Sequence, residues 1–197
     1  MTDALRTVPW SDGTWTTPPA ASREDGTDLV VEAVEGSDAW RHTAYGFVHD
    51  DEHALVAPLA TEQAVEVDFV AAFSQQFDQA GVFLRAGQEH WVKAGVEFAD
   101  GTPQLGAVVT DPRSDWSVAP VPDWDGKLVT IRASRSGDAI TVRARVEGED
   151  FRLVRVVPMD PAMELEAGPF TCAPTRSGLE VLFTGWRVTE PDASLHP

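Results

Sequence analysis

The sequence has very little cysteine and lysine. Its 197 residues include one cysteine, Cys172, so no disulfide can form within the chain. Lys93 and Lys127 are the only lysines. Basic side chains are scarce altogether: the chain has 15 Lys and Arg but 32 Asp and Glu, which gives a formal net charge of -17. Nucleic acid and anionic membrane surfaces require clustered positive charge, and we therefore expect neither as a partner.

Long apolar runs and common catalytic motifs are also missing. No stretch approaches the roughly 20 apolar residues that a membrane-spanning helix needs. The N-terminal segment MTDALRTVPWSDGTW lacks the charged, apolar and small-residue regions of a signal peptide. With the lone cysteine, this leads us to expect a soluble protein in a reducing cytoplasm. The absence of G-x-S-x-G, of a glycine-rich phosphate loop and of a paired C-x-x-C removes support for nucleophilic, nucleotide and zinc-finger chemistry.

Apolar and polar residues instead alternate with a period of two, which predicts strands. The predicted strands cover residues 63–73, 80–86, 90–98, 104–110, 127–134, 139–147, 151–157 and 179–188. Short polar turns such as ADGT (99–102) and RSGD (135–138) separate them and favour antiparallel neighbours. We therefore predict an all-β fold, a sandwich of two antiparallel sheets that forms a single domain over residues 1–189.

Three segments fall outside this strand pattern. The first 20 residues contain three prolines and are predicted to lie over the sandwich as an irregular strap. The stretch PMDPAMELEA (158–167) is the one place that could hold a helical turn. Residues 190–197 are predicted to be a flexible C-terminal tail.

The strand HWVKAGVEF (90–98) has two contrasting faces. Trp91, Lys93 and Glu97 share one face, where a tryptophan exposed beside charges gains little as a plain surface residue. Phe83 and Arg85 are predicted to stand beside them across a short hairpin. Two interpretations stay open: this face binds a ligand, or Trp91 and Phe83 pack beneath the N-terminal strap while Lys93 and Glu97 form an internal ion pair. The opposite face is assigned to the core: Val92, Ala94, Val96 and Phe98.

Four stretches resemble an uncharacterised family of bacterial and fungal proteins that includes a yeast protein called regulation of enolase. They are SDAWRHTAYGFVHDDEHAL (37–55), FDQAGVFLR (77–85), HWVKAGVEF (90–98) and VVTDPRSDWS (108–117). The family belongs to the concanavalin A-like lectin/glucanase superfamily, so the resemblance implies a jelly-roll sandwich with a concave sheet. It implies no established activity, and it suggests glycan binding by analogy alone.

If the concave sheet is the working face, the family motifs supply its side chains. The predicted ligand-binding residues are Trp40, Tyr45, Gln79, Phe83, Arg85, Trp91, Lys93, Glu97, Asp115 and Trp116. Aromatic rings stack on the apolar faces of sugars while polar side chains bond the hydroxyls. We therefore predict a binding protein for a small saccharide or sugar-like metabolite, with no cofactor and with its oligomeric state left open. Packing stays the alternative for Trp40 and Trp116, and turn capping for Asp115.

A glycoside hydrolase is the first alternative function, although we favour a protein without catalysis. Superfamily enzymes that resemble laminarinases place two glutamates on one strand around an aspartate. This chain offers only Glu66 and Asp68, because valine and alanine occupy positions 70 and 71. Glu97 with Asp115 would be an unrelated carboxylate pair. A regulatory protein-interaction domain without a small ligand is the second alternative.

The segment HDDEH has the spacing of a metal motif. On a helix, His49 and His53 would share one face. The flanking YGFV and ALVAPL are predicted strands, so HDDEH is expected to be the hairpin turn that joins them. Asp50, Asp51 and Glu52 offer oxygen ligands for calcium, but a solvated turn is favoured.

No metal site is predicted elsewhere either. Asp123, Asp125 and Gly126 match part of the pattern of a calcium-binding loop. The later bidentate glutamate of that pattern is missing, so a plain turn is expected. Cys172 lies in the apolar strand GPFTCAP and is predicted to be an inert buried thiol.

Overall fold

The computed structural model describes residues 6–196, and strands dominate this range. They are β1 (Arg6–Thr7), β2 (Thr14–Trp15), β3 (Ala21–Asp25), β4 (Asp28–Glu32), β5 (Ala39–Arg41), β6 (Val48–Asp50), β7 (His53–Leu59), β8 (Gln63–Val70), β9 (Gln79–Gly87), β10 (His90–Ala99), β11 (Thr102–Thr110), β12 (Ser114–Pro120), β13 (Leu128–Ser136), β14 (Ala139–Val146), β15 (Arg152–Pro158), β16 (Leu165–Cys172) and β17 (Glu180–Thr189). Two 3-10 turns lie at Trp10–Asp12 and Pro122–Trp124. Among these residues, no helix is long and apolar enough to cross a membrane.

Two large antiparallel sheets contain nearly all of these strands. The eight-stranded sheet has the order β15-β14-β13-β8-β17-β4-β3, and β1 also pairs with β17. The seven-stranded sheet has the order β12-β11-β10-β9-β16-β7-β2. A small third sheet consists of β5 and β6. The predicted all-β sandwich of two antiparallel sheets is confirmed.

The core lies between the two large sheets because alternate residues of each strand are apolar. In β14, Ile140, Val142 and Ala144 are fully buried, while the residues between them point outward. In β10, Val92 and Val96 belong to the same core, as the alternation of HWVKAGVEF predicted, and Phe98 packs against its margin. This leaves the Trp91, Lys93 and Glu97 row on the outer face of the seven-stranded sheet.

The strands predicted from alternation all form, but the segments between them differ from expectation. Six strands were not predicted: β1 to β5 and β12. No helical turn forms at 158–167, where a turn leads into β16. The predicted HDDEH hairpin is wrong, because β6 pairs with β5 whereas β7 pairs with β16 and β2. HDDEH is instead a crossing from the small sheet to the seven-stranded sheet.

Neither end of the described chain crosses the face of β10. Of the predicted strap, β1 extends the eight-stranded sheet beside β17, and β2 pairs with the edge of β7; residues 1–5 lie outside the described residues. At the other end, residues 190–196 contact the outer face of the eight-stranded sheet. Asp192 pairs there with Arg132 and Arg143 at 2.7 and 2.8 Å, while the predicted flexibility of this tail stays a prediction.

Residues 36–52, which we call the cover segment, lie over the outer face of the seven-stranded sheet. The segment contains β5 and β6 and is anchored at several points. Arg41 of β5 is not paired with a strand of the seven-stranded sheet, but it contacts that sheet in two other ways. Its backbone N–H donates to Ser114 Oγ at 2.8 Å, and its guanidinium group forms an ion pair with Glu89 at 2.8 Å. The backbone N–H of Ala173 donates to Ser37 Oγ at 3.1 Å. The cover segment therefore forms one wall of the cleft that lies above β10.

Candidate functional site

The floor of the candidate site is a grid of side chains on β9 and β10. Trp91 pairs with Arg85, Lys93 with Phe83, and Glu97 with Gln79. Because paired residues of antiparallel strands point to the same face, the hairpin predicted from sequence does bring these side chains together. The grid is an outer surface of the sandwich that the cover segment only partly closes.

Phe83 and Trp91 form the covered end of this grid. Their rings stack at a centroid distance of 5.4 Å, and both side chains are buried. They belong to an apolar cluster with Ala39, Val108 and Phe170, against which Trp40 packs. The cover segment therefore packs against these rings, whereas of the described part of the predicted N-terminal strap only Thr16 borders the cavity beside them.

Lys93 is a buried cation held by two oxygen atoms. Its Nζ donates to Asp38 Oδ1 and to Gln79 Oε1, both at 2.8 Å, and its side chain is only 6% exposed. Burial by itself would lower the pKa of Lys93, but the neighbouring negative charges, chiefly Asp38, outweigh it and the pKa is raised. Lys93 is therefore charged. Its ion-pair partner is Asp38, whereas the second interpretation of the sequence had paired it with Glu97.

Glu97 has no such partner. Its Oε1 is buried and, among the described residues, receives no hydrogen bond. Burial raises the pKa of Glu97 to about 7; Lys93 opposes the change, and Asp38 and Asp100 add to it. Near neutral pH the carboxyl group is thus divided between its acid and carboxylate forms, and either form lacks a hydrogen bond that a buried polar atom normally has.

Between the Lys93 and Glu97 rows the floor carries no side chains. Gly81, Gly95 and Gly106 pair in succession across β9, β10 and β11. A Cβ on Gly95 would overlap the carbonyl oxygen of Ala80 and lie 2.9 Å from Gly81 Cα. Only glycine fits this close approach of the strands, and the result is a shallow trough of bare backbone, which we call the glycine row.

Above this floor lies a cleft of about 400 Å³ with aromatic walls. Trp40 meets Tyr45 and Trp116 edge to face, at centroid distances of 5.8 and 6.4 Å. Phe47 stacks on Tyr45 at 5.2 Å and meets His49 at 4.9 Å. The cleft is lined by Gly36, Asp38, Trp40, Tyr45, Phe47, His49, Phe77, Lys93, Glu97, Val108, Trp116, Pro174 and Thr175. It therefore joins apolar ring surfaces to a charged floor.

Comparison with known proteins identifies the family. The family model described as "Protein of unknown function (DUF1349)" matches residues 15–191. The chain belongs to this family. A protein from Saccharomyces cerevisiae, "Regulation of enolase protein 1", is 32% identical over 181 residues, which cover 92% of this chain and 91% of that protein.

Solved structures agree with this assignment. A functionally unknown protein from Saccharomyces cerevisiae superposes with a TM-score of 0.88 at 30% identity, over 94% of this chain and all of that chain. The xylan beta-1,4-xylosidase of Bacillus halodurans C-125 superposes with a TM-score of 0.66 at 16% identity, over 83% of this chain and 33% of the enzyme. The latter likeness concerns the fold. The predicted family and the concanavalin A-like sandwich are thus confirmed.

Within this DUF1349 chain, five of the predicted ligand-binding residues line one cleft: Trp40, Tyr45, Lys93, Glu97 and Trp116. Gln79 lies behind Lys93 and positions it. Phe83 and Trp91 support the covered end. Whether these residues bind a ligand stays a prediction.

Arg85 and Asp115 lie apart from the cleft. Arg85 lines a second cavity of about 180 Å³ at the covered end of the grid, together with Phe83, Trp91, Thr16, Asp50, Glu52 and Gln88. Asp115 points the other way and pairs with Arg155 at 2.8 Å. Successive residues of a strand face opposite sides, so Asp115 and its neighbour Trp116 could not both reach the cleft. The suggested carboxylate pair of Glu97 and Asp115 therefore does not form.

Two features of the cleft were not predicted, Asp38 and the Phe47–His49 wall, and neither was the glycine row of the strands beneath it. Asp38, Phe47 and His49 all lie in the first family motif, SDAWRHTAYGFVHDDEHAL, which was the available signal. No sequence signal indicated the glycine row, because the alignment of its three glycines depends on the register of three strands.

The carboxylates considered for glycoside hydrolysis lie on the other sheet. Glu66 accepts a hydrogen bond from Arg132 at 2.8 Å, and Asp68 accepts one from Arg187 at 2.9 Å and one from Thr130 Oγ1 at 2.8 Å. Both carboxylates are thereby committed to a polar network on the outer face of β8. Neither takes part in the cleft.

The histidines and the cysteine are also placed apart from one another. His53 is buried, with Nε2 accepting from the backbone N–H of Val34 and Nδ1 donating to Thr17 O, at 3.0 and 3.1 Å. His49 faces the cleft. Cys172 is buried, and burial raises its pKa well above the ordinary value. Residues 6–196 contain no group of three or more His, Cys, Asp or Glu that could hold a metal ion.

The raised pKa of Glu97 predicts a pH-dependent stability difference. Above pH 7 the native state holds a partly buried carboxylate, whereas well below pH 4.5 the group is neutral in both the native and the unfolded states. The penalty therefore appears as pH rises from about 4.5 to 7. We expect Glu97→Gln to be more stable than the wild type by roughly 2 to 3 kcal/mol at pH 8, and by almost nothing at pH 4.5.

The measurement is urea unfolding of wild type and variant at several pH values. The difference between the two proteins is the relevant quantity, because burial lowers the pKa of His53 and changes the wild-type profile in the opposite direction. Glu52, whose pKa burial raises to about 7, provides a second variant with the same expected sign. A stability difference that is constant across pH would contradict the prediction.

Proposed function

We propose that the cleft of this protein binds a small saccharide or a sugar-like metabolite. The observation that carries the proposal is the partly buried Glu97, whose Oε1 is buried and receives no hydrogen bond at the floor of a cleft walled by aromatic rings. Buried polar atoms are normally paired, so an unpaired one that borders a cavity is an available partner for a ligand hydroxyl or amine.

The shape and chemistry of the cleft support this class of ligand. Its volume of about 400 Å³ lies within the range of small-molecule sites. The exposed ring surfaces of Tyr45 and Trp116 suit the apolar face of a pyranose, and Lys93, Asp38 and Glu97 suit its hydroxyls. Gly95 and Gly106 of the glycine row line a small adjoining cavity that shares Lys93, Glu97 and Trp116 with the cleft, and they leave the backbone there open to close approach. The likeness to a xylosidase supports saccharides as the first ligands to test.

The direct experiment is isothermal titration calorimetry of the full chain against a panel of mono- and disaccharides. Trp116→Ala is expected to weaken binding of a hit about tenfold, which corresponds to roughly 1.4 kcal/mol. Trp116 is 39% exposed, so its truncation should leave the fold intact.

Leu153→Ala is the matched control, since Leu153 is also exposed but lies on β15 of the other sheet. It should leave the affinity unchanged. The proposal fails if no saccharide binds, or if the two variants weaken binding equally. If no saccharide binds but a protein is captured specifically, the evidence would favour the regulatory role that the name of the yeast relative suggests.

A further inference from the structure

The two charged groups on the cleft floor are balanced in different ways. Lys93 donates at 2.8 Å to the carboxylate of Asp38 and at 2.8 Å to the amide of Gln79. The resulting ion pair is complete without a ligand. Glu97, two pairing rows away on the same face, has no ion-pair contact with any described residue, and its Oε1 is buried without a hydrogen bond. The floor thus contains a neutralised cation and an unneutralised carboxyl.

The groups that surround Glu97 do not supply a counter-charge. On the neighbouring strands, it is paired with Gln79 of β9 and Gln104 of β11, which are both neutral. Asp38 of the cover segment and Asp100 at the end of β10 are negative and repel its carboxylate. Lys93 attracts it from a distance but is already bonded to Asp38, and His49 lies on the cleft wall. The charge that would complete the site must come from elsewhere.

We propose that the ligand of this cleft carries a protonated amine, which pairs with the carboxylate of Glu97. The inference rests on the proposed function and specifies an amino sugar, or a sugar-like amine of the same size, as the ligand class. A charge-assisted hydrogen bond from an ammonium group would satisfy the carboxyl. The rings of Trp40, Tyr45 and Trp116 also favour a cation, because aromatic faces attract positive charge. The net charge of -17 draws cations and repels acidic sugars.

Such an ion pair gives binding a definite pH dependence. An ammonium ligand binds the ionised form of Glu97, so its affinity rises as pH increases and the carboxyl loses its proton. With a pKa of about 7, the ionised fraction and hence the affinity should increase about tenfold between pH 6 and 8. A neutral sugar has no charge to pair with the carboxylate and should show a smaller change.

The test uses four monosaccharide probes of the same ring size: 6-amino-6-deoxyglucose, glucosamine, glucose and glucuronate. The first two carry an amine at different carbons, C6 and C2, and the last two are neutral and anionic. Calorimetry on the full chain at pH 6 and 8 should show at least one amino sugar binding tenfold or more tightly than glucose at its better pH. The affinity of 6-amino-6-deoxyglucose should rise with pH, and glucuronate should bind most weakly.

Two carboxyl variants assign the effect to one residue. Glu97→Gln keeps the size of the side chain and should remove both the preference for the amine and the pH dependence. Asp115→Asn makes the same chemical change at a carboxylate that faces away from the cleft, and it should preserve both. The inference is overturned if Glu97→Gln retains the preference or if glucose binds as tightly as the amino sugars. In the latter case saccharide binding still stands, whereas the absence of binding by every probe and by the wider panel overturns the proposed function itself.

Discussion

Replacing Lys93 by methionine is expected to lower the free energy of unfolding by about 3 to 5 kcal/mol. The side chain of Lys93 is 6% exposed and its ion-pair partner, Asp38, is 21% exposed, so the variant leaves a poorly solvated carboxylate without its counter-ion. It also removes the donor to Gln79 Oε1. Since Asp38 belongs to the cover segment, the loss should loosen that segment as well as destabilise the sheet. Urea unfolding at pH 7.5 measures the change.

The chain provides its own control for this substitution. Lys127, the other lysine, is exposed, and Lys127→Met should change stability by less than about 0.5 kcal/mol. Adding Asp38→Asn to Lys93→Met removes the uncompensated charge and should restore part of the lost stability. Equal effects of the two lysine variants would show that the buried ion pair does not hold the cover segment to the sheet.

Replacing Gly95 by alanine is expected to cost more than about 3 kcal/mol, through a different mechanism. The new methyl group would overlap the carbonyl oxygen of Ala80 and come within 2.9 Å of Gly81 Cα. Both are backbone atoms of β9, so no side chain can move aside, and the two strands must separate. Thermal and urea unfolding would detect the loss, and hydrogen exchange should place it in β9 and β10.

Gly137→Ala separates this steric effect from the ordinary cost of replacing a glycine. Gly137 lies in the exposed turn before β14 with a φ of 56°, and a Cβ there would meet nothing within 4 Å. Its expected cost is about 1 to 2 kcal/mol, from the left-handed backbone alone. If Gly95→Ala proves no more destabilising than Gly137→Ala, the close approach of β9 and β10 along the glycine row is not required.

The relation between sequence and site differs for its two halves. The β9 and β10 half could be predicted, because both strands alternate strictly and a short hairpin connects them. Lys93, Glu97 and Phe83 were therefore grouped correctly on one face, whereas Gln79 was suggested by the family motif. The other half comes from the cover segment, whose motif pointed to Trp40 and Tyr45 but not to their position. Asp115 was misplaced because the motif around it was considered as a unit, although adjacent strand residues face opposite ways.

The sequence by itself determined the all-β class, the positions of the long strands and the division of each strand into an inner and an outer face. These depend on local alternation, which is visible along the chain. Only the tertiary structure decided that residues 36–52 and not the N-terminus cover β10, and that Asp38 takes Lys93 and leaves Glu97 unpaired. Those outcomes depend on contacts between segments distant in the chain, and the free energy of burying a charge is set by whichever partner the fold brings to it.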